Sequence, residues 1–262
     1  MKKLYSLEGN WPYMPLYSFS KKLQKTFLTL LLLLCVGFVN AQSFVVDGLK
    51  YTVTTAPEVS VNKNGTTCPT GALTIPSLVT DPGTSIEYTV RTIEAGAFQS
   101  CTALTSVVIG DSLTSIGDEA FFVCSSLTSL TLPNSITTIG DRAFNGCSAL
   151  TSLTLPNSLT TIGEDTFTDC SSLTSLTLPN SLTTIGDYAF FACSGLTSLT
   201  LPNSLTSIGT AVFQVCSSLT SLTLPNSITT IGGDAFRSCS SLTSIDLPNS
   251  LTTIEAGAFQ SC

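Results

Sequence analysis

Leucine and hydroxyl side chains alternate in short runs along most of this chain. In the run LTSLTLP (127–133), Leu130 and Leu132 alternate with Ser129 and Thr131. An alternation with period two predicts a strand that buries one face and exposes the other. Pro133 ends the run, because proline has no backbone N–H for a strand ladder, and the Pro-Asn pair predicts a turn.

The remainder of the unit predicts a second extended piece and a brief helical turn. Ile162 is an inward-pointing position of the extended piece. In the run GDYAFFAC, Asp187 stands at an N-cap position, which favours a helix start. Ala189, Phe190 and Cys193 then fall on one side of a single helical turn.

These units return every 23 residues, with leucine, proline, phenylalanine and cysteine in register. A period in the twenties predicts a repeat solenoid, in which each unit covers the leucines of its neighbour. We expect phenylalanine and cysteine to form an internal structural ladder. Its members are Phe121, Phe144, Phe167, Phe190, Phe213, Phe236, Cys124, Cys147, Cys170, Cys193, Cys216 and Cys239.

The two ends of the array differ from its middle. Residues 42–68 are predicted to form an N-terminal β cap, because FVVDGLKYTVTT contains two strand patterns around Asp47-Gly48, a hairpin turn signal. The repeat array is predicted to occupy residues 69–262. The chain stops as a repeat closes at Cys262. We therefore expect a C-terminal truncation; the alternative is an exposed last unit that pairs with another chain.

Residues 1–41 are predicted to be a signal peptide with a long N-terminal lead. Basic residues precede an apolar run of 13 residues, from Phe27 to Val39. This run is too short to span a bilayer, which needs about 20 residues, but it fits the apolar region of a secretory signal. Cleavage after Ala41 predicts a secreted or cell-surface protein without membrane insertion. An uncleaved anchor is the alternative.

Charge and composition exclude several classes of function. Only 10% of the residues are charged, and residues 42–262 contain five basic and sixteen acidic side chains. A nucleic-acid partner would need a basic stripe. Histidine is absent from the whole sequence, so triads built on Ser-His or Cys-His are excluded and the commonest metal ligand is missing. We predict no catalytic residue, no metal site and no cofactor.

Ten cysteines in a secreted chain favour disulfides. Removal of the signal with Cys35 leaves nine, so at least one stays unpaired. Equivalent cysteines of stacked units would lie about 4.8 Å apart, which permits a disulfide by distance, but their side chains would run parallel. We expect a reduced ladder in which the thiols behave as small buried hydrophobes.

The complete unit closely resembles the BspA-like leucine-rich repeat. The motif L-x-x-L-x-L-P-x-x-L/I-x-x-I-G-x-x-A-F-x-x-C runs through roughly residues 69–262, as in GDYAFFACSGLTSLTLPNSL (186–205). The resemblance implies a right-handed curved solenoid of short parallel strands, and a surface or secreted protein of Bacteroidetes-type bacteria or mucosal protozoa. It also implies adhesion to host matrix proteins, epithelial cells or other microbes, without a shared catalytic residue.

The outward strand positions form the candidate ligand face for an unidentified protein or glycan partner. A plain solvated sheet face is the alternative, since threonine also favours strands. A uniform face does not suit a tight single-epitope partner, for which the irregular residues Arg142, Tyr188, Phe191 and Arg237 are better candidates. The candidate face consists of Ser129, Thr131, Ser152, Thr154, Ser175, Thr177, Ser198, Thr200, Ser221, Thr223 and Asp246.

Two other classes of function are weaker alternatives. Ranked hydroxyls at a fixed spacing could match a regular lattice, such as ice or a crystalline polysaccharide. An enzyme would need an acid pair in a pocket, and two acid pairs exist, Asp118-Glu119 and Glu164-Asp165. Both pairs lie in predicted turns, where we expect capping or solvated carboxylates without a pocket.

Overall fold

The computed structural model describes residues 42–262 as a β-solenoid. The predicted signal peptide lies outside the described residues. Within 42–262 there are 19 strands and no helix. The strands are β1 (Ser43–Val46), β2 (Leu49–Thr55), β3 (Glu58–Lys63), β4 (Gly71–Ile75), β5 (Leu78–Thr80), β6 (Glu87–Ile93), β7 (Leu104–Ile109), β8 (Ser115–Ile116), β9 (Ser129–Thr131), β10 (Thr138–Ile139), β11 (Ser152–Thr154), β12 (Thr161–Ile162), β13 (Ser175–Thr177), β14 (Thr184–Ile185), β15 (Ser198–Thr200), β16 (Ser207–Ile208), β17 (Ser221–Thr223), β18 (Thr230–Ile231) and β19 (Thr253–Ile254).

The predicted hairpin precedes the repeats. Strands β1 and β2 pair antiparallel through a two-residue turn in which Asp47 and Gly48 have positive φ angles of 50° and 78°. Asp-Gly favours this turn, because both residues tolerate the left-handed conformation. Strand β2 pairs antiparallel with β3, and β3 pairs parallel with β6 of the first repeat. The hairpin is therefore continuous with the solenoid sheet.

Two ladders of parallel strands run along the array. The first ladder contains the S-L-T strands, β7, β9, β11, β13, β15 and β17, and the second contains the shorter T-I and S-I strands from β8 to β19. Pairing is in register: Leu153 lies opposite Leu176, and Thr154 lies opposite Thr177. The sequence separation of 23 places every residue beside its equivalent in the next unit, which confirms the predicted repeat solenoid.

The predicted helical turn is not formed; consecutive β-turns close each unit instead. The N–H of Cys193 donates to the carbonyl of Phe190 at 3.3 Å. Positive φ angles at Tyr188 (58°) and Ala192 (56°) prevent the chain from continuing as a right-handed helix. The N–H of Phe190 donates instead to the carbonyl of Val212 in the following unit, at 3.0 Å.

The predicted N-cap role of Asp187 is also wrong. Its Oδ1 accepts the backbone N–H of Thr210, 23 residues later, at 2.7 Å. Asp141 accepts the N–H of Glu164 in the same way at 2.8 Å. These carboxylates therefore cap the next unit of the stack, because the backbone of that unit lies closer than the N–H groups of a local helix would.

The phenylalanines and cysteines occupy the dry centre of the solenoid. Successive rings from Phe98 to Phe259 stack with centroids 5.2–5.5 Å apart and ring planes within 17° of parallel. Each thiol from Cys124 to Cys262 lies 3.2–3.4 Å from the carbonyl of the phenylalanine in the preceding unit and can donate to it. The cysteine thus satisfies a buried carbonyl that an alanine would leave with one fewer donor.

One cysteine of the period is oxidised. Cys101 forms a disulfide with Cys68, which lies outside the 23-residue register. The six ladder cysteines from Cys124 to Cys239 are free and buried, and Cys262 is free and exposed. Sequence reasoning compared only equivalent positions and missed this bond, which ties the segment after β3 to the first repeat.

A glycine at the end of each second-ladder strand allows the turns to stack. A Cβ on Gly186 would lie 2.7 Å from the backbone N of Glu164 and 2.7 Å from the backbone C of Gly163. Gly233 has more room, since its Cβ would meet no atom closer than 3.5 Å. Backbone atoms of the preceding unit, and not flexible side chains, therefore limit residue size at Gly186.

We expect Gly186→Ala to lower the free energy of unfolding by about 3 kcal/mol, because two stacked turns must separate to admit the methyl group. Gly233→Ala is the matched control and should change it by less than about 1 kcal/mol. Urea unfolding followed by circular dichroism measures both. Equal effects of the two substitutions would contradict this account of the stacking.

Candidate binding surface

The candidate ligand face is arranged as the sequence predicts, with hydroxyls outside and leucines inside. The Ser column comprises Ser129, Ser152, Ser175, Ser198 and Ser221, and the Thr column comprises Thr131, Thr154, Thr177, Thr200 and Thr223; all ten residues are exposed. The leucines between them are buried, as at Leu153 and Leu176. Both columns belong to the first ladder, so their hydroxyls repeat at the strand spacing of about 4.8 Å.

The hydroxyls of these columns differ from those of a neighbouring threonine column in their hydrogen bonding. The side chains of Thr174, Thr197 and Thr220 donate to carbonyls of the preceding unit at 3.0–3.4 Å. Within residues 42–262, no hydroxyl of the Ser or Thr column makes a comparable bond. The columns therefore retain their donors and acceptors for solvent or a ligand.

A groove follows the Thr column along the array. One stretch, of about 720 Å³, extends from Leu130 to Asn180. A second stretch, of about 420 Å³, extends from Leu176 to Asn203, and the two share Thr177. We call the combined depression the strand groove. Its walls are the Thr column and the Asn side of the Pro-Asn turns, and its floor is formed by leucine and proline; the lining residues include Thr131, Thr154, Thr177, Thr200, Leu132, Leu155, Leu178, Leu201, Pro156, Pro179, Pro202, Asn134, Asn157, Asn180 and Asn203.

The ends of the Thr column carry different chemistry. Val108, the equivalent residue before Thr131, is an exposed apolar side chain. Asp246 is exposed at the other end and pairs through its backbone with Thr223 as an isolated bridge. Between these two positions the strand groove has no charged lining residue.

A second set of exposed hydroxyls was missed at the sequence level. Thr138, Thr161 and Thr184 of the second ladder are exposed beside the buried isoleucine of each strand. The T-T-I pattern before each glycine is the signal that could have revealed them. They offer substitution sites in the same units as the strand groove but on another ladder.

The irregular residues lie in the β-turns and not in the strand groove. Arg142 joins Glu119 and Asp165 of the two neighbouring units at 3.6 and 3.5 Å. Tyr188 packs edge-on against Phe191, with ring centroids 6.1 Å apart. In a separate pair, Arg237 lies 3.7 Å from Asp234. The exposed side chains that differ between units are thus grouped on the turns.

The two acid pairs come together around Arg142. Asp118, Glu119, Glu164 and Asp165 line a shallow depression of about 240 Å³, where sequence reasoning expected no pocket. The arginine occupies the centre of these carboxylates, and no histidine exists to assist proton transfer. Among residues 42–262, no group of three metal-ligating side chains is arranged to hold a metal ion. In the same part of the chain, no helix has the length and apolarity needed to cross a bilayer.

Comparison with known proteins agrees with the repeat architecture. The profile of the BspA type leucine rich repeat region matches residues 83–172 and 160–262, with six copies, and together these matches cover more than half of the chain. None of the curated proteins compared with the sequence matches it significantly.

Two solved structures illustrate the similarity. The leucine-rich repeat protein of T. pallidum is 28% identical with a TM-score of 0.68, over 78% of this chain and 92% of that one. The pneumococcal vaccine antigen PcpA is 20% identical with a TM-score of 0.50, over 80% of this chain and 71% of that one. The second likeness concerns the fold alone.

Proposed function

Because the chain belongs to the family of BspA-type leucine-rich repeat proteins, we propose that it is a non-catalytic binding scaffold that adheres to protein or glycan surfaces. It acts in the secreted state or at the cell surface, to which the predicted signal peptide would direct it. The observation that carries this proposal is the pair of exposed Ser and Thr columns, whose hydroxyls have no partner within the described residues.

Repetition explains how such a surface could hold a ligand. Each unit offers the same few hydrogen-bonding groups, and no tryptophan, tyrosine or arginine lines the strand groove as an energetic anchor. Single contacts are therefore weak. A ligand that engages several units at once gains affinity through effective concentration, without any new type of contact.

The proposal is tested by adhesion of the purified protein to mucin, to extracellular matrix proteins and to whole bacterial or epithelial cells. We expect binding to at least one of these surfaces. The double variant Thr154→Arg/Thr177→Arg fills the strand groove and should reduce retention by about tenfold. Thr161→Arg/Thr184→Arg adds the same charge to the same units on the second ladder and should bind like the parent. Adhesion to none of the surfaces contradicts the proposal.

A second candidate function is binding to a regular lattice, such as ice or a crystalline polysaccharide. In-register pairing, with Ser152 opposite Ser175 and Thr154 opposite Thr177, arranges the hydroxyls in rows of constant spacing. Thermal hysteresis, or retention on ice or insoluble crystalline glycan, distinguishes this candidate from adhesion to proteins and cells.

A further inference from the structure

We propose that the strand groove binds a neutral polysaccharide chain that lies along the stacking direction, with about one sugar residue for each repeat. This inference rests on the proposed function, because it names the class of ligand for the same surface. It is carried by three features of the strand groove: its lack of charge, its repeat distance and the chemistry of its floor.

The lining of the strand groove favours an uncharged partner. Every lining side chain from Leu130 to Asn203 is apolar, a hydroxyl or an amide. A charged ligand would lose hydration here without gaining an opposite charge. Hydroxyl and amide groups each donate and accept hydrogen bonds, as sugar hydroxyls do. A neutral, hydroxyl-rich ligand therefore matches the strand groove better than an anionic or cationic one.

The repeat distance favours a sugar chain over a peptide. Parallel strands place equivalent groups about 4.8 Å apart, which is close to the length of one sugar residue in an extended chain. An extended peptide advances about 3.3 Å per residue and loses register with the units at once. It also cannot add as a strand to the paired strands within the ladder, since their backbone groups already bond to the neighbouring units.

The floor of the strand groove suits the C–H faces of sugar rings but holds them weakly. Leu155, Leu178 and Leu201 are more than nine-tenths buried, and the prolines beside them complete an aliphatic strip. No aromatic ring is present on which a sugar could stack. Affinity for one sugar is therefore low, and it should grow with the number of units that a chain covers.

Soluble oligosaccharides test the inference directly. The probes are fluorescently labelled β-linked oligomers of glucose, N-acetylglucosamine, mannose and xylose with two, four and six residues, measured by fluorescence anisotropy. At least one neutral series should bind, with an affinity that increases about tenfold or more from two to six residues. Binding should be unchanged between low salt and about 0.5 M salt, because no ion pair is involved. Oligogalacturonate and chitosan oligomers of equal length should bind at least about tenfold more weakly.

Matched variants locate the binding on the molecule. Thr154→Arg/Thr177→Arg should reduce the affinity for the six-residue oligomer by about tenfold, whereas Thr161→Arg/Thr184→Arg should change it by less than about twofold. Circular dichroism establishes that both variants are folded. A salt-dependent interaction, equal losses in both variants, or no binding of any neutral oligomer overturns the inference.

The outcomes separate this inference from the proposed function. If the protein adheres to coated surfaces and the Thr154/Thr177 variant does not, but neutral oligomers neither bind nor compete, the sugar ligand is wrong and the scaffold stands. If the protein neither adheres to any surface nor binds any oligomer, both proposals fail. Competition of adhesion by the neutral oligomer supports both.

Discussion

Replacing Phe190 by alanine is expected to lower the free energy of unfolding by about 3–5 kcal/mol. The ring is fully buried between Phe167 and Phe213, with centroid distances of 5.3 and 5.5 Å. Its removal leaves a cavity that the stacked turns cannot close, because backbone hydrogen bonds to both neighbouring units hold them apart. Two aromatic contacts are also lost, each contributing about 0.5–1.5 kcal/mol beyond burial.

The adjacent phenylalanine provides a matched control for this prediction. Phe191 is only half-buried and touches Tyr188 on the outside of the turn. Phe191→Ala should therefore lower the free energy of unfolding by less than about 1 kcal/mol. Urea titration of both variants measures the difference. Similar losses for the two would mean that the Phe190 ring does not belong to a packed stack.

Position in the array should also matter. Phe259 has a single ring neighbour, Phe236, at 5.4 Å. In a repeat protein the stability is a sum of unit terms and nearest-neighbour interface terms. We therefore expect Phe259→Ala to destabilise the protein less than Phe190→Ala, since it disturbs one such interface and not two.

The second large effect is expected from alkaline pH. Burial raises the pKa of Cys124 to about 11 and the pKa values of Cys170 and Cys239 to about 12. It also raises the pKa values of Cys147, Cys193 and Cys216 well above their usual range. In the unfolded chain the same thiols ionise near pH 8.5.

The sign of the pH dependence follows from these pKa values. Above about pH 8.5 the unfolded state loses protons that the native state retains, so the free energy of unfolding falls as the pH rises. The contribution of each buried thiol is fully present below the unfolded pKa. It decreases by about 1.4 kcal/mol per pH unit until the pH reaches the folded pKa, near 11–12. Several thiols act together, so the array should unfold in mildly alkaline solution.

Thermal unfolding under argon at pH 7.5, about 9 and about 10 checks this expectation. The midpoint temperature should fall steeply over this range. A variant with alanine at Cys147, Cys170 and Cys193 should be less stable at neutral pH but should show a shallower pH dependence, because three ionising groups are gone. A midpoint that does not change with pH would contradict burial of the thiols as protonated groups.

The strand ladder and its outward hydroxyls could be predicted from local patterns. Period-two alternation identifies which residues of LTSLTLP are inside, and the Asp47-Gly48 pair specifies the hairpin through its own backbone preferences. The family profile over residues 83–262 supports the same register. These predictions hold because each depends on a few neighbouring residues.

The errors concern bonds between units. Sequence reasoning assigned Asp187 to its own turn, whereas the carboxylate accepts the N–H of Thr210. It expected helical turns, whereas the N–H of Phe190 bonds to Val212. In both cases a partner about 23 residues away replaces the local one, because stacking brings that partner within hydrogen-bonding distance.

The candidate surface divides in the same way. Exposure of the Ser and Thr columns follows from the alternation itself, but the strand groove does not, since it arises where the strand meets the Pro-Asn turn across several units. The contrast between free and hydrogen-bonded threonines is also invisible in the sequence. Thr174 and Thr177 are the same residue type, yet only Thr174 lies where its hydroxyl reaches the carbonyl of Thr151.

The sequence by itself determined the period, the inward and outward sides of each strand and the stack of phenylalanines, because every unit repeats one local pattern and can bury it only against its neighbours. Only the tertiary structure decided the turn geometry, the disulfide between Cys68 and Cys101, the inert state of the buried thiols and the shape of the strand groove. These features depend on distances between chain segments that are remote in sequence, and such distances exist only once the units are stacked.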